Sequence, residues 1–501
     1  MRRSMSRWTW LLSSLGRAAA SAFDGLFEAS PRGPGRYASY AWYLGLLTLG
    51  AVLWGYLLNW GEISFGLHDW AEGTGHRLAF LQNAVRSGQL PLHMPDGSAL
   101  RNLTDRFAAI PDTLLSPQVL LLGFMQLGPF VLANTLLLYA CGFVGLLALG
   151  RRLRLSAFAF GAIFLLFNFN GHITDHIVVG HMHWAGYFLL PFYVLLVLDA
   201  LDGRVGWRWT LKLSLVLFFI FLQGAFHLFV MSLIFLGLCA LASRRLVRPA
   251  ISVIGFSILI SLGRILPPAL ESGKFDTEFL SGFETVGQML EAFVRLRIPI
   301  PEQVFSRSPL SPLGWWEIDH FVGVLGLVFL LGYGLLYAWH RSPTDNRLRG
   351  LAFPMAAMTL LSIGRIYKLI NLAGIPLVSS QRVSTRFVIF PVLFLLAFAG
   401  LNLQAHLERL GGSRAARGLA MAVFGVGAHD LWQHIKLWRV ERMFDLFSNL
   451  PVDLTGEVVA NHPDPPYFLA LGIGWAVAAL TLGALVYLAA RESSAAAGNA
   501  A

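Results

Sequence analysis

A succession of long apolar runs, separated by short segments in which arginine recurs, governs what this chain can fold into. A bilayer core of roughly 30 Å is crossed by about 20 apolar residues in helical form. Lipid offers no partner to a backbone amide, so such runs must close their hydrogen bonds internally as helices. The runs centre on 40–58, 117–149, 155–169, 184–200, 211–223, 226–241, 249–266, 320–338, 350–364, 386–404, 417–431 and 466–489. They predict an all-α polytopic membrane protein with about 12 transmembrane helices. Composition agrees, since 56% of the 501 residues are hydrophobic and 13% charged, and the mean hydropathy is +0.61. A bilayer is the principal solvent for such a chain.

Charge then sets orientation. Basic residues cluster at Arg32 and Arg36, at Arg151, Arg152 and Arg154, at Arg204, Arg208 and Lys212, at Arg244, Arg245 and Arg248, and again over 341–349 and 409–417. The positive-inside rule puts all of these, and both termini, in the cytoplasm. Segments 59–116, 170–183, 267–319, 365–385 and 432–465 then fall on the external face. Within 211–241 both flanks are basic, so two shallow helices turning near Gln223, Gly224 and His227 are expected. Residues 1–36 read as a cytoplasmic arm with an amphipathic helix on the membrane, 37–490 as one transmembrane domain, and 491–501 as a flexible cytoplasmic tail. This layout suits a bacterial inner membrane. The net charge of +10 is spent on topogenic turns and forms no stripe for nucleic acid. Cys141 and Cys239 lie inside apolar runs and offer no disulfide framework.

One interruption is chemically conspicuous. The segment NGHITDHIVVGHMHW, Asn170 to Trp184, packs four histidines and a carboxylate between apolar runs, where polar groups are expensive. His172 and His176 are one helical turn apart, and a fold at Gly180 can return His181 or His183 towards them. A divalent metal, a metal-free substrate site and a structural loop all remain open. Asp175 serves as ligand, as partner to a ligand, or as a catalytic carboxylate. Trp184 and Tyr187 read as interface anchors.

The first external loop carries His68, Asp69 and Glu72 just before a helix predicted over 74–85, with Leu78, Leu81 and Val85 on one face and Gly88 and Pro91 ending it. Here the chain resembles the GT-C superfamily of integral membrane glycosyltransferases, and more loosely their YfhO-like bacterial relatives. The matching pieces are Asp69 after the first span, the surface helix containing Arg77 and Arg86, and the turn Gly88-Gln89-Leu90-Pro91. Leu92 and His93 replace the usual aromatic near that proline, and Glu72 lies three residues from Asp69 in place of an adjacent acidic pair. The resemblance implies a GT-C-like fold and transfer of a sugar from a polyprenyl-phosphate carrier to an acceptor outside the membrane. A carboxylate would act as base, with basic residues near the phosphate. Asp69 is the first choice for that base; alternatively it caps the helix or pairs with Arg77.

A lipid-linked phosphate needs positive charge at the external boundary. Arg264, Arg365, Lys368, Arg382 and Arg386 sit there against the positive-inside trend, and Arg382 and Arg386 are spaced to share one phosphate. Headgroup binding explains them as well. Trp316, Glu317, Asp319 and His320, in WWEIDHF, could meet a sugar or acceptor, while Trp315 and Trp316 also suit an interfacial belt. In 428–465, Trp432, Ile435, Leu437 and Trp438 suggest a membrane-lying helix. The expected partners are a lipid-linked donor, membrane lipids and a glycan, lipid or protein acceptor, with no cofactor required beyond a candidate divalent metal. A transporter or lipid flippase and a noncatalytic assembly subunit of the cell envelope are the competing functions.

Overall fold

The computed structural model of the protein describes residues 14, 16–95, 104–271, 279–297, 314–341, 346–374, 381–409, 413–446 and 451–498. These residues are helical, with isolated bridges but no sheet. Helix α1 (16–25) precedes α2 (Pro34–Leu57), α3 (Gly75–Ser87), α4 (Leu127–Leu153), α5 (Ala157–Asn168), α6 (Gly171–Val178), α7 (Leu190–Leu201), α8 (Trp207–Leu222), α9 (Phe226–Ala242), α10 (Val247–Ile260) and α11 (Leu262–Leu270). The second half contains α12 (Val286–Val294), α13 (Gly323–Phe329), α14 (Ala338–Arg341), α15 (Asn346–Leu361), α16 (Gly364–Leu372), α17 (Ile389–Arg409), α18 (Arg414–Leu437), α19 (Val440–Leu446) and α20 (Pro465–Gly498).

Among the described residues, seven helical stretches are long and apolar enough to cross a bilayer: Pro34–Leu57, Leu127–Leu153, Ala157–Val178, Met182–Leu201, Gly323–His340, Thr385–Arg409 and Pro465–Ser494. An eighth is reached if Arg244–Ile260 and Leu262–Leu270, bent by 66°, count as one span. The expected count of about twelve is therefore not met by length and composition. The reason is visible in the other expected spans. Helices α8, α9 and α15 have 16, 17 and 16 residues, short of the usual crossing length. Helix α18 is long enough but carries Arg414, Arg417, His429, Asp430, His434 and Lys436 among its apolar residues.

Residues 211–241 do form two helices, α8 and α9, separated at Gln223–Ala225 with Gly224 at φ +81. The chain end differs from expectation: α20 continues past Arg491 to Gly498, because its alanine-rich sequence is strongly helix-forming. The arm before α2 is packed, with Phe27 stacked on Phe158 at 4.6 Å.

The basic turns predicted to share a side are neighbours. Arg152 reaches Asp199 at 2.9 Å and also pairs with Asp202, which takes Arg347 at 2.7 Å. Asp24 joins Arg414 and Arg417 at 2.9 and 2.7 Å. Helices α11 and α20 cross where Gly263 meets Gly474, whose added Cβ would stand 2.7 Å from the Gly263 Cα. Small residues here bring two backbones into direct contact, a packing device suited to lipid. At the end remote from the basic turns, the segments following α2, α5, α12, α16 and α18 converge.

Candidate functional site

The loop after α2 is folded onto the turn that follows α6. The Asp69 amide donates to the Val179 carbonyl at 3.2 Å, Trp70 Nε1 to the Val178 carbonyl at 2.9 Å, and Thr74 Oγ1 to the Gly180 carbonyl at 2.8 Å. Gly180 has φ +105, and a Cβ there would lie 2.4 Å from the Trp70 nitrogen, so only glycine permits both the turn and the approach. On the other strand of this contact, the backbone takes left-handed conformations at Asn59, Trp60 and His68, with φ of 47, 53 and 39. The first and second expected external loops thus share one chamber.

Asp69 is the centre of that contact. His181 Nε2 stands 2.5 Å and His68 Nδ1 3.1 Å from its oxygens. Burial alone would raise this carboxyl, but the two imidazoles hold it well below the usual carboxylate range. Its two oxygens thus each face an imidazole. Asp69 does not cap the helix with its side chain, and Arg77 pairs instead with Asp112 at 2.8 Å. Glu72 lies partly exposed in the π-turn Trp70–Thr74.

From Asp69 a seam of imidazoles runs inward. His181 and His176 approach through their Nδ1 atoms at 2.8 Å. His172 and His176 do share a face, with ring centroids 4.9 Å apart, and His172 stacks on His320 at 5.0 Å. Among the described residues, both ring nitrogens of His172, Nε2 of His176 and Nε2 of His320 are buried without a hydrogen-bond partner. Such orphans call for water, a metal or a substrate. Burial depresses His320 to about 4, so it is neutral at ordinary pH. His183 departs from the seam and lines a small cavity with Arg77, Asp112 and Gln223.

Opposite the histidines, Arg386 forks onto Glu317 through Nε at 2.9 Å and Nη2 at 2.6 Å, and the Thr385 hydroxyl donates to the Glu317 carbonyl. Burial alone would raise the Glu317 carboxyl, but Arg386 and His181 outweigh it and hold the group low. The Arg386 guanidinium also lies over Trp184, 5.1 Å from the ring centroid. Trp316 meets His68 at 4.6 Å. Asp319 accepts from Trp315 Nε1 and from the Phe321 amide, both at 2.7 Å. His434 Nε2 stands 3.3 Å from Asp319 and 3.6 Å from Asp175, whose Oδ1 accepts from the Thr174 hydroxyl at 3.0 Å.

Three groups near the chamber could coordinate a divalent metal: His68, Asp69 and His181; His176, His181 and Glu317; and Asp175, Asp319 and His434. A fourth, His93, Asp105 and His462, lies apart in sequence. In each, one ligand atom per residue falls within 4.8 Å of the others. His172 and His183 join none of these sets among the described residues, although the sequence offers them as ligands beside His176 and His181.

The remaining cations are distributed differently. Arg264 is fully buried, donating to Thr113 Oγ1 at 3.1 Å and to the Pro111 and Thr113 carbonyls at 2.8 and 2.9 Å; it ties α11 to the first loop. Arg365 and Lys368 are exposed on α16, and Arg382 is half-buried. Trp184, Tyr187, Trp315 and Trp316 are buried inside the protein: Trp184 stacks on His176 and under Arg386, Trp315 and Trp316 lie beside Asp319 and His68, and Tyr187 stacks on Phe167. His434 and His227 escape sequence reasoning. His434 sits on the same stripe as Leu431, Ile435 and Trp438, and a histidine on an otherwise apolar face is the signal that could have found it. His227, legible only as a turn marker, pairs with Gln381 at 2.8 Å.

No family model matches this chain, and no curated protein matches it significantly. The chain is an all-helical polytopic membrane protein with a buried cluster of histidines, carboxylates and an arginine.

Proposed function

We propose that this protein transfers a sugar from a polyprenyl-phosphate or related lipid-linked donor to an acceptor at the external face of a bacterial inner membrane, within a GT-C-like framework. The reading is supported above all by Asp69. It follows the first span directly, is held ionised by His181 and His68, and opens a chamber whose other walls come from segments more than a hundred residues away. As the acceptor oxygen bonds to the anomeric carbon, the bond from that carbon to phosphate breaks and the carrier phosphate leaves with its electron pair. Asp69 takes the hydroxyl proton, with His181 and His68 keeping its carboxylate oriented. Arg386, fixed by Glu317, and the half-buried Arg382 would meet the phosphate, with Arg365 and Lys368 at headgroup level and Trp316 as a sugar-stacking face. A divalent ion held by His176, His181 and Glu317 would screen the phosphate charge.

Purified protein supplied with radiolabelled lipid-linked sugars and envelope acceptors tests this. Transfer should occur, and Asp69→Asn should reduce it by about 10²- to 10⁴-fold, the usual worth of a positioned base, while the variant elutes as the wild type. Full activity in folded Asp69→Asn removes the base from the mechanism. Movement of lipid-linked sugar across vesicles without bond formation replaces transfer with transport.

A further inference from the structure

We propose that Asp175, Asp319 and His434 bind a divalent transition-metal ion, with Zn²⁺ the best match, at a site separate from the Asp69 chamber. The inference goes beyond the transfer reaction and does not depend on it.

Three remote pieces of the chain meet here: α6, the segment after Trp315–Glu317, and α18. All three side chains are fully buried. Two carboxyls in a dry interior must either share a proton or have their charge balanced by a cation. Among the described residues neither is paired with a lysine or arginine; His434 is the sole basic side chain within ion-pair distance of either. A divalent cation balances two carboxylates and a neutral imidazole.

The donor spacing is compatible with a bound ion. Zinc bonds of about 2.0–2.1 Å to nitrogen and oxygen at tetrahedral angles separate neighbouring donors by about 3.3–3.4 Å. His434 Nε2 lies 3.3 Å from Asp319 Oδ2 and 3.6 Å from Asp175 Oδ1. By contrast, the 2.5 Å between His181 and Asp69 is a direct hydrogen bond and leaves no room for an ion between those atoms.

The surroundings are built to aim these donors. Trp315 Nε1 and the Phe321 amide fix the two oxygens of Asp319, the Thr174 hydroxyl fixes Asp175 Oδ1, and the Phe321 ring lies flat on the His434 imidazole at 4.8 Å. Outer contacts of this kind are what orient metal ligands. Gly171 makes room for the arrangement, since a Cβ there would fall 2.1 Å from Asp319 Oδ1. Among the described residues Asp175 Oδ2 is buried with no hydrogen-bond donor in reach, which leaves it available as a further ligand. The ion clamps α18 against α6 and the segment before α13.

The full chain, purified in detergent without chelators, should retain about one equivalent of metal after desalting, or take it up from added Zn²⁺. That metal should persist in Asp69→Asn and be lost in both Asp175→Asn and His434→Gln. Cobalt loading of the wild type should give the visible absorption of a four-coordinate site, a readout that needs no variant to fold. Wild type that is folded yet binds neither zinc nor cobalt overturns the proposal in favour of a proton shared by the carboxylates. Metal lost in Asp69→Asn but retained in Asp175→Asn also overturns it, because the ion then belongs to the other chamber.

Discussion

Where α4, α7 and α15 meet, Arg152, Arg347, Asp199 and Asp202 pair with 19 to 25% of each side chain in contact with the surroundings, whereas at the other end Arg386 and Glu317 pair with only 9 and 8% exposed. The residue types are the same and the energetics are not. At the first end, partial hydration screens the pairs, and each contributes roughly 0–1 kcal/mol. At the second, each ion is tolerable only because its partner is present, since an uncompensated buried charge has no water to turn to. At the basic end charge is held where water still reaches it; at the buried end paired charges are fixed in place by the packing around them.

Removing one member of the buried pair should have the largest consequence. Glu317→Ala leaves Arg386 desolvated and alone, and we expect a loss of about 3–5 kcal/mol in chemical unfolding in detergent. A loss no larger than that of a surface pair would erase the distinction between the two ends. Next comes Gly180→Ala. Positive φ at a non-glycine residue and the clash with Trp70 together should cost roughly 1–3 kcal/mol and separate Asp69 from the turn after α6. Thermal unfolding checks the first effect, and cross-linking between cysteines placed in the two loops checks the second.

A titration sharpens the comparison further. The folded pKa of Asp69 is depressed, so its contribution to stability is fully present above the unfolded value of about 3.9 and is lost as pH falls through the lower folded value. Unfolding midpoints measured downward from pH 5 should show this loss in the wild type and less of it in Asp69→Asn. Superimposable profiles would mean that the His181 and His68 contacts do not stabilise the folded state. The smallest effect belongs to the basic end: Asp202→Asn should cost about 0–1 kcal/mol, in a salt-dependent manner, when unfolding is followed at low and high ionic strength.

Membrane class, the location of most helices and the meeting of the first loop with the histidine segment were legible in sequence because they follow from hydropathy and arginine placement alone. The number of full spans was not. Apolar runs such as 211–223 and 350–364 look like crossings, but α8 and α15 stop at 16 residues, and a hydropathy pattern does not reveal where a helix bends or ends. Asp69, His176 and His181 could be singled out because polar groups in apolar sequence are costly. Their partners could not, since the pairing of Glu317 with Arg386 or Asp319 with His434 joins residues 69 and 115 positions apart. Such pairings are decided by tertiary packing, to which local spacing is blind. The same gap explains the tryptophans: an aromatic belt and an aromatic chamber wall have identical composition and differ only in what lies beside them.

The left-handed backbone at Asn59, Trp60 and His68 has a mechanical corollary. Each such conformation stores on the order of 1–3 kcal/mol, and all three lie on the stretch of chain that presses Asp69 against Val178, Val179 and Gly180. The three hydrogen bonds to Val178, Val179 and Gly180 therefore hold down a stretch whose own backbone opposes them, and their net contribution to stability is smaller than their number suggests.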